Sequence, residues 1–266
     1  MPTFQGVFGK IFYTIRGKGL PVFLIPGMGA SHQEWFQQVP VLSKQFQVIT
    51  FDNAGSGKSV HPDSEISILE MAEDVHRLLQ HLKLEKAVLV GSSMGGLIAQ
   101  CCLEKYFDKI AGLVLSATFG HVDNHIVQIL SPLLRSRQSP KVRIRNVLPL
   151  LVSEQFIKEK LEIAKQYVQK AEKFAAPRAV LQRQVRAVLN FTPHPIQRTH
   201  TIPILILVGS DDPITPPAMA YEIQKRYSHS KVHIIEGTKH LPHVERAEEF
   251  NRLIEDFLSS LRTPMG

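Results

Sequence analysis

Six short apolar runs recur along the chain, at residues 21–25, 47–51, 86–90, 112–116, 203–208 and 231–235. They are rich in Val, Ile and Leu and mostly lack a polar residue at every second place. That is the pattern of strands covered by helices on both faces of a parallel sheet. Between them, apolar residues return at spacings of three and four. Leu69, Ala72, Val75, Leu78, Leu79 and Leu82 predict a helix over 68–82, and a second such stretch predicts one over 96–106. Repeated strand, helix, strand units imply a doubly wound α/β sheet. The opening differs: residues 4–8 and 10–15 read as two strands joined by a tight turn at Gly9, an antiparallel start that brings the expected sheet to eight strands, mostly parallel.

Residues 121–199 interrupt this rhythm. They hold no convincing buried strand and read as helices over 127–134, 141–152, 154–174 and 178–189, broken by Pro132, Pro140 and Pro177. The expected organisation is one core domain, residues 1–120 and 200–266, with a helical cap of residues 121–199 inserted into it. Residues 262–266 read as a frayed tail.

Composition narrows the class. At 266 residues, with 44% apolar and 21% charged residues, the chain is long enough to bury one large core. The first ten residues lack the charged start and apolar run of a signal peptide, and no run is long enough to span a membrane. Cys101 and Cys102 are adjacent, a poor geometry for a mutual disulfide, so a reducing, cytoplasmic setting is expected. The formal net charge of +7 is uneven: residues 121–200 carry 14 Lys and Arg against 5 Asp and Glu. Without a recognisable nucleic-acid-binding module or an aromatic platform, this excess does not imply nucleic acid.

The candidate chemistry begins after the run 86–90, where Gly91, Ser92, Ser93, Met94, Gly95 and Gly96 lead directly into a helical pattern. Strand, sharp turn and helix place Ser93 at the apex, with Gly91 and Gly95 keeping the flanks clear and the helix start aimed at the reacting oxygen. A serine hydroxyl needs a base to take its proton and a carboxylate to orient that base. Downstream, Asp211 and Asp212 follow the run 203–208, and His240 and His243 follow the run 231–235. Both pairs lie just past the carboxyl ends of strands, where open α/β sheets place their sites.

These motifs resemble the α/β-hydrolase superfamily over nearly the whole chain, and the segment from Gln182 to Pro203, with Gln184, Ala187 and Pro203, resembles the cap exit of its enol-lactonases and small esterases. The resemblance implies that Ser93, Asp212 and His240 form a catalytic triad, with Asp211 a turn residue and His243 packing nearby, in reach of Glu245. It implies backbone amides of Met28 and Met94 as oxyanion donors, with Pro26 standing where the family carries histidine in the loop Pro26, Gly27, Met28, Gly29. The segment from Phe51 to Ser59 resembles the family's structural turn and lacks the spacing of a phosphate-binding loop.

The resulting expectation is hydrolysis of a small carboxylic ester or lactone through an acyl-enzyme, without cofactor or metal. A carbon–carbon bond hydrolase of a ring-cleavage product and an acyl thioesterase would use the same triad. A small-molecule receptor on the same fold is the non-enzyme alternative. In the cap, the lysines read as solvent-facing. Arg135, Arg137, Arg143, Arg145, Arg178 and Arg186 offer attraction for an acidic substrate, with Arg135, Arg178 and Arg186 the substrate-binding candidates. The remaining histidines show no metal-ligand spacing, although His121 and His125 would share a helix face.

Overall fold

The computed structural model describes residues 2–193 and 201–261. Residues 194–199 of the expected insertion, His194, His200 and the tail over 262–266 lie outside the described residues. Among those described, eight strands form one sheet: β1 (Thr3–Gln5), β2 (Lys10–Arg16), β3 (Pro21–Ile25), β4 (Gln47–Phe51), β5 (Ala87–Ser92), β6 (Ile110–Ser116), β7 (Ile204–Gly209) and β8 (Lys231–Ile235). Their order is β1-β2-β4-β3-β5-β6-β7-β8. The pairs β1–β2 and β2–β4 are antiparallel and every other pair is parallel. The helices are α1 (Val39–Leu42), α2 (Ile68–His81), α3 (Met94–Lys105), α4 (Asn124–Arg135), α5 (Pro140–Leu151), α6 (Glu154–Glu159), α7 (Leu161–Lys173), α8 (Arg178–Leu189), α9 (Pro217–Arg226), α10 (Pro242–Glu245) and α11 (Ala247–Ser260).

Successive side chains of a strand point to opposite faces, and here both faces are apolar. Phe23 and Ile25 of β3 join a layer with Met71 and Val75 of α2 and Leu97 of α3, whereas Val22 and Leu24 join Trp35, Leu42 and Phe250 and Ile254 of α11. Each such side chain removed from water contributes about 1.5–3 kcal/mol. This two-sided burial is why the runs lack polar alternation. On α2 the buried stripe passes through Met71, Val75 and Leu78, while Leu69 turns outward.

The opening hairpin departs from expectation. β1 ends at Gln5, and the Gly6 amide donates to the Gly9 carbonyl at 2.8 Å, so residues 6–9 form the turn. Within this turn the Val7 amide is taken by Asp74 of α2, whose Oδ1 accepts it at 2.6 Å.

Between β6 and β7, α4 to α8 are the helices among the described residues. Pro132 sits inside α4 without ending it, because its missing donor lies on an exposed face; Pro140 opens α5 and Pro177 precedes α8. The helix expected over 154–174 is two, α6 and α7, parted at Lys160 (φ −127°, ψ 44°). On one straight helix Phe156 and Ala164 would lie about 80° apart around the axis. The break lets both enter one small cluster with Val152, Leu241 and Val244. By contrast α4 and α8 extend the main core through Ile126, Leu130, Leu181 and Val185. No described helix is long and apolar enough to cross a membrane.

Candidate active site

Ser93 occupies the single position between the end of β5 and the start of α3, at φ 52° and ψ −117°. A non-glycine residue held there stores about 1–3 kcal/mol of strain, so its surroundings must over-determine it. The Ser93 amide donates to the Ser116 carbonyl at 2.9 Å, and the Thr118 hydroxyl donates to the Ser93 carbonyl at 2.8 Å. A Cβ on Gly91 would lie 2.3 Å from the Gly95 carbonyl oxygen, and one on Gly95 would lie 2.2 Å from that of Ile25. No side chain fits at either. Ser92 is fully buried within β5.

Beyond β7 and β8, the buried pair Asp212 and His240 meets at 2.9 Å between Oδ2 and Nδ1. Asp212 also accepts the Ile214 amide (2.8 Å), the Thr215 amide (3.0 Å) and the Thr215 hydroxyl (2.7 Å). Burial pushes the Asp212 carboxyl up, but attraction to His240 and these hydrogen bonds outweigh it and hold the group below its ordinary pKa. Asp211 is exposed and takes the Ser210 hydroxyl at 3.0 Å, a turn contact. His243 is fully buried but does not meet Glu245. It packs on Trp35 with ring centroids 4.9 Å apart, and its Nε2 lies 3.4 Å from Glu34 Oε1. Glu245 instead accepts the amides of Lys239 (2.6 Å) and Ser153 (2.8 Å), because α10 turns it back toward the His240 loop and α6.

The loop after β3 lies against the nucleophile: a Cβ on Gly27 would sit 3.5 Å from Ser93 Cβ. Met28 lines the cavity above it, and Met94 is the first residue of α3, whose amide has no intrahelical acceptor. With Pro26 in place of histidine, three other side chains brace this loop. Glu34 Oε2 accepts the Gly27 amide (2.8 Å), Asn53 donates to the Pro26 carbonyl (3.1 Å), and Gln184 of α8 accepts the Gly29 amide (2.7 Å). Sequence reasoning gave none of the three this role. Their partners stand 7, 27 and 155 positions away, and no local spacing signals such contacts. Asp52 likewise ties the following turn together, accepting from His32 (2.6 Å at N, 2.8 Å at Nδ1) and from the Lys58 amide (2.8 Å).

Ser93 and His240 border the same cavity, of ≈ 200 Å³, between the sheet edge and the inserted helices. Its walls are largely aliphatic and include Leu133, Ile144, Val147, Leu151, Leu181 and Ile214. The three arginines expected to bind substrate do not reach it. Arg135 and Arg178 are exposed at the surface, and Arg186 forks onto Glu65 at 2.8 and 2.7 Å. Arg145 likewise reaches Glu172 (3.2 Å); Arg143 lines the cavity. His121 precedes α4, so it shares no helix face with His125, whose Nε2 lies 3.2 Å from the carbonyls of Pro213 and Ile214. Among the described residues no cluster of three or more His, Cys, Asp or Glu is set to hold a metal. Burial pushes the Cys101 thiol up to about 12 and that of Cys102 well above its ordinary value, so both behave as core residues.

Residues 21–247 match the family model described as alpha/beta hydrolase fold. The chain belongs to that family. Hydrolase activity is the general function that membership and the named relatives carry. One relative is the human serine hydrolase BPHL, 29% identical over 94% of this chain and 83% of its own length. Among solved structures, a thermophilic esterase from Thermogutta terrifontis superposes with a TM-score of 0.89 at 26% identity, covering 98% of this chain and 99% of its own. An enol-lactonase from Burkholderia xenovorans LB400 also gives 0.89, at 22% identity over 97% and 100% of the two chains, a likeness of fold.

Proposed function

We propose that this hydrolase cleaves a small carboxylic ester or lactone through an acyl-enzyme. His240 takes the Ser93 hydroxyl proton as Oγ bonds to the substrate carbonyl carbon, and the carbonyl electron pair moves onto oxygen beside the Met28 and Met94 amides. Collapse expels the alcohol, which receives the proton from His240. Water, deprotonated by His240, then releases the acid and restores Ser93. Asp212 holds the imidazole in place. Residues 121–199 act as the cap whose lining selects the acyl group.

The observation that carries this reading is the buried Asp212–His240 pair opening on the same cavity as the strained Ser93. A pure binding protein has no need of a serine held at φ 52° beside an oriented histidine. The likeness to an esterase supports esters as the first substrates to try. The protein is expected to turn over 4-nitrophenyl acetate and butyrate and to be labelled by a fluorophosphonate probe, with both lost in Ser93→Ala. A folded wild-type protein that neither turns over nor labels would favour the receptor alternative instead.

A further inference from the structure

Arg143 of α5 stands out among the cap arginines. It is 7% exposed, yet it forms part of the wall of the cavity that Ser93 and His240 border. The other residues lining that cavity include no lysine and no other arginine. Among the described residues its hydrogen bond runs from Nη2 to the Ala176 carbonyl at 3.1 Å, which leaves most of a five-donor guanidinium for other partners. No carboxylate lies within ion-pair distance of it among the described residues. Its neighbour Ile144 and the nearby Val147 are apolar members of the same wall.

An arginine so buried is normally paired with an acid, because a guanidinium stripped of water and left without a counter-charge is costly. Burial alone acts on Arg143, lowering its pKa, with no acid to offset it. The carboxylate of Glu34, which also borders the cavity, is already engaged by the Gly27 amide at 2.8 Å and faces His243 at 3.4 Å. Arg143 therefore belongs to the largely aliphatic wall of the cavity that the proposed nucleophile also borders, and no acid among the described residues pairs with it.

We propose that Arg143 is a specificity-determining residue, and that the acyl group of the substrate ends in a carboxylate that pairs with it across the aliphatic wall. This rests on the ester or lactone hydrolase reading and names the substrate class within it. A carboxylate suits the site better than a phosphate. The planar fork of one guanidinium matches its two oxygens. A dianion in a cavity of ≈ 200 Å³ with one arginine would stay under-compensated.

The test compares mono-4-nitrophenyl adipate and pimelate with the same esters methylated at the far carboxyl. The wild-type protein is expected to favour the free acids in kcat/KM by about 10- to 100-fold, the worth of one charge-assisted hydrogen-bonded pair. In Arg143→Gln that ratio should fall close to one, and in Arg143→Lys it should be intermediate; circular dichroism checks that each is folded. Adipate should inhibit wild-type hydrolysis of 4-nitrophenyl acetate competitively, and adipamide should not, a comparison that stands even if the variants misfold. A wild-type preference for the methylated esters overturns the proposal. So does an Arg143→Gln protein that loses both substrates equally, which would make the arginine only a brace for the Ala176 carbonyl. If the wild type hydrolyses nothing and escapes the fluorophosphonate probe, the hydrolase reading fails. Calorimetry with adipate then decides Arg143 separately, and absence of binding overturns its role.

Discussion

At the scale of single residues, the candidate site is a set of polar groups whose alternatives have been removed. Asp212 accepts four hydrogen bonds, from His240, Thr215 twice and Ile214, and its depressed pKa keeps it ionised far below neutral pH. Its contribution to stability is accordingly present above the ordinary carboxylate range and is lost as pH falls through the lower folded value. Replacing it with Asn keeps the size but offers an amide where Nδ1–H needs an acceptor, turning the imidazole to the wrong tautomer. Asp212→Asn is expected to lower kcat about ten-thousandfold and, because the carboxylate's stabilisation is lost with it, to lower the thermal transition at pH 7 while the protein still folds, checked by ester hydrolysis and a melt. Loss of less than tenfold would remove Asp212 from the proposed triad. Glu34 acts at the loop after β3. By taking the Gly27 amide it supplies the brace that Pro26, lacking a side-chain donor or acceptor, does not.

At the scale of elements, the site depends on how closely β3, β5 and α3 approach. α3 begins so near β3 that a Cβ on Gly95 would fall 2.2 Å from the Ile25 carbonyl oxygen, an atom of rigid backbone. Ile25 leads directly into the loop that carries Gly27 and Met28, so any relief of that clash displaces the proposed oxyanion donors. Gly95→Ala should therefore cost about 1–3 kcal/mol in a urea titration and lower kcat together with stability. A variant with the wild-type midpoint and wild-type rate would contradict this packing. The inserted helices show the same interdependence. The break at Lys160 lets Phe156 and Ala164 pack on Leu241, the residue next to His240, and the Leu241 amide donates to the Leu151 carbonyl at 3.0 Å. The region that shapes the cavity is thus fastened to the loop that carries His240.

At the scale of the whole molecule, Asp74 links the first hairpin to α2 at a measurable cost. It is 3% exposed, its Oδ1 holds the Val7 amide at 2.6 Å, and its Oδ2 has no hydrogen-bond partner among the described residues. Burial, opposed by the Val7 amide and Arg77 and reinforced by Glu73 and Glu70, raises its pKa to about 6 from 3.8. The folded state therefore holds a proton that the unfolded chain has released, so stability falls as pH rises through about 4 to 6. Asp74→Asn keeps an acceptor for Val7 and abolishes the titration. It should stabilise the protein by about 2–3 kcal/mol at pH 7 and by nearly nothing at pH 4, measured by denaturant titration at both values. Equal effects at the two pH values would show that the carboxylate is not ionising in place.

Much of this architecture is legible in the linear chain. Apolar runs without alternation mark strands buried on two faces, and the glycine-flanked Ser93 after one run, with an aspartate and a histidine after two later ones, marks an α/β hydrolase. Those features are local, because the period of an element and the steric demands of a turn are set by neighbours a few residues apart. Tertiary structure decided what depends on distant partners. It turned His243 toward Glu34 rather than Glu245, divided residues 154–174 at Lys160, and recruited Glu34, Asn53 and Gln184 to brace one loop. It also set apart one of the arginines between β6 and β7. Arg135, Arg178 and Arg186 are equivalent to Arg143 in composition, but only the packing of α5 over the cavity turned Arg143 inward, where the desolvation of a charge makes position matter more than identity.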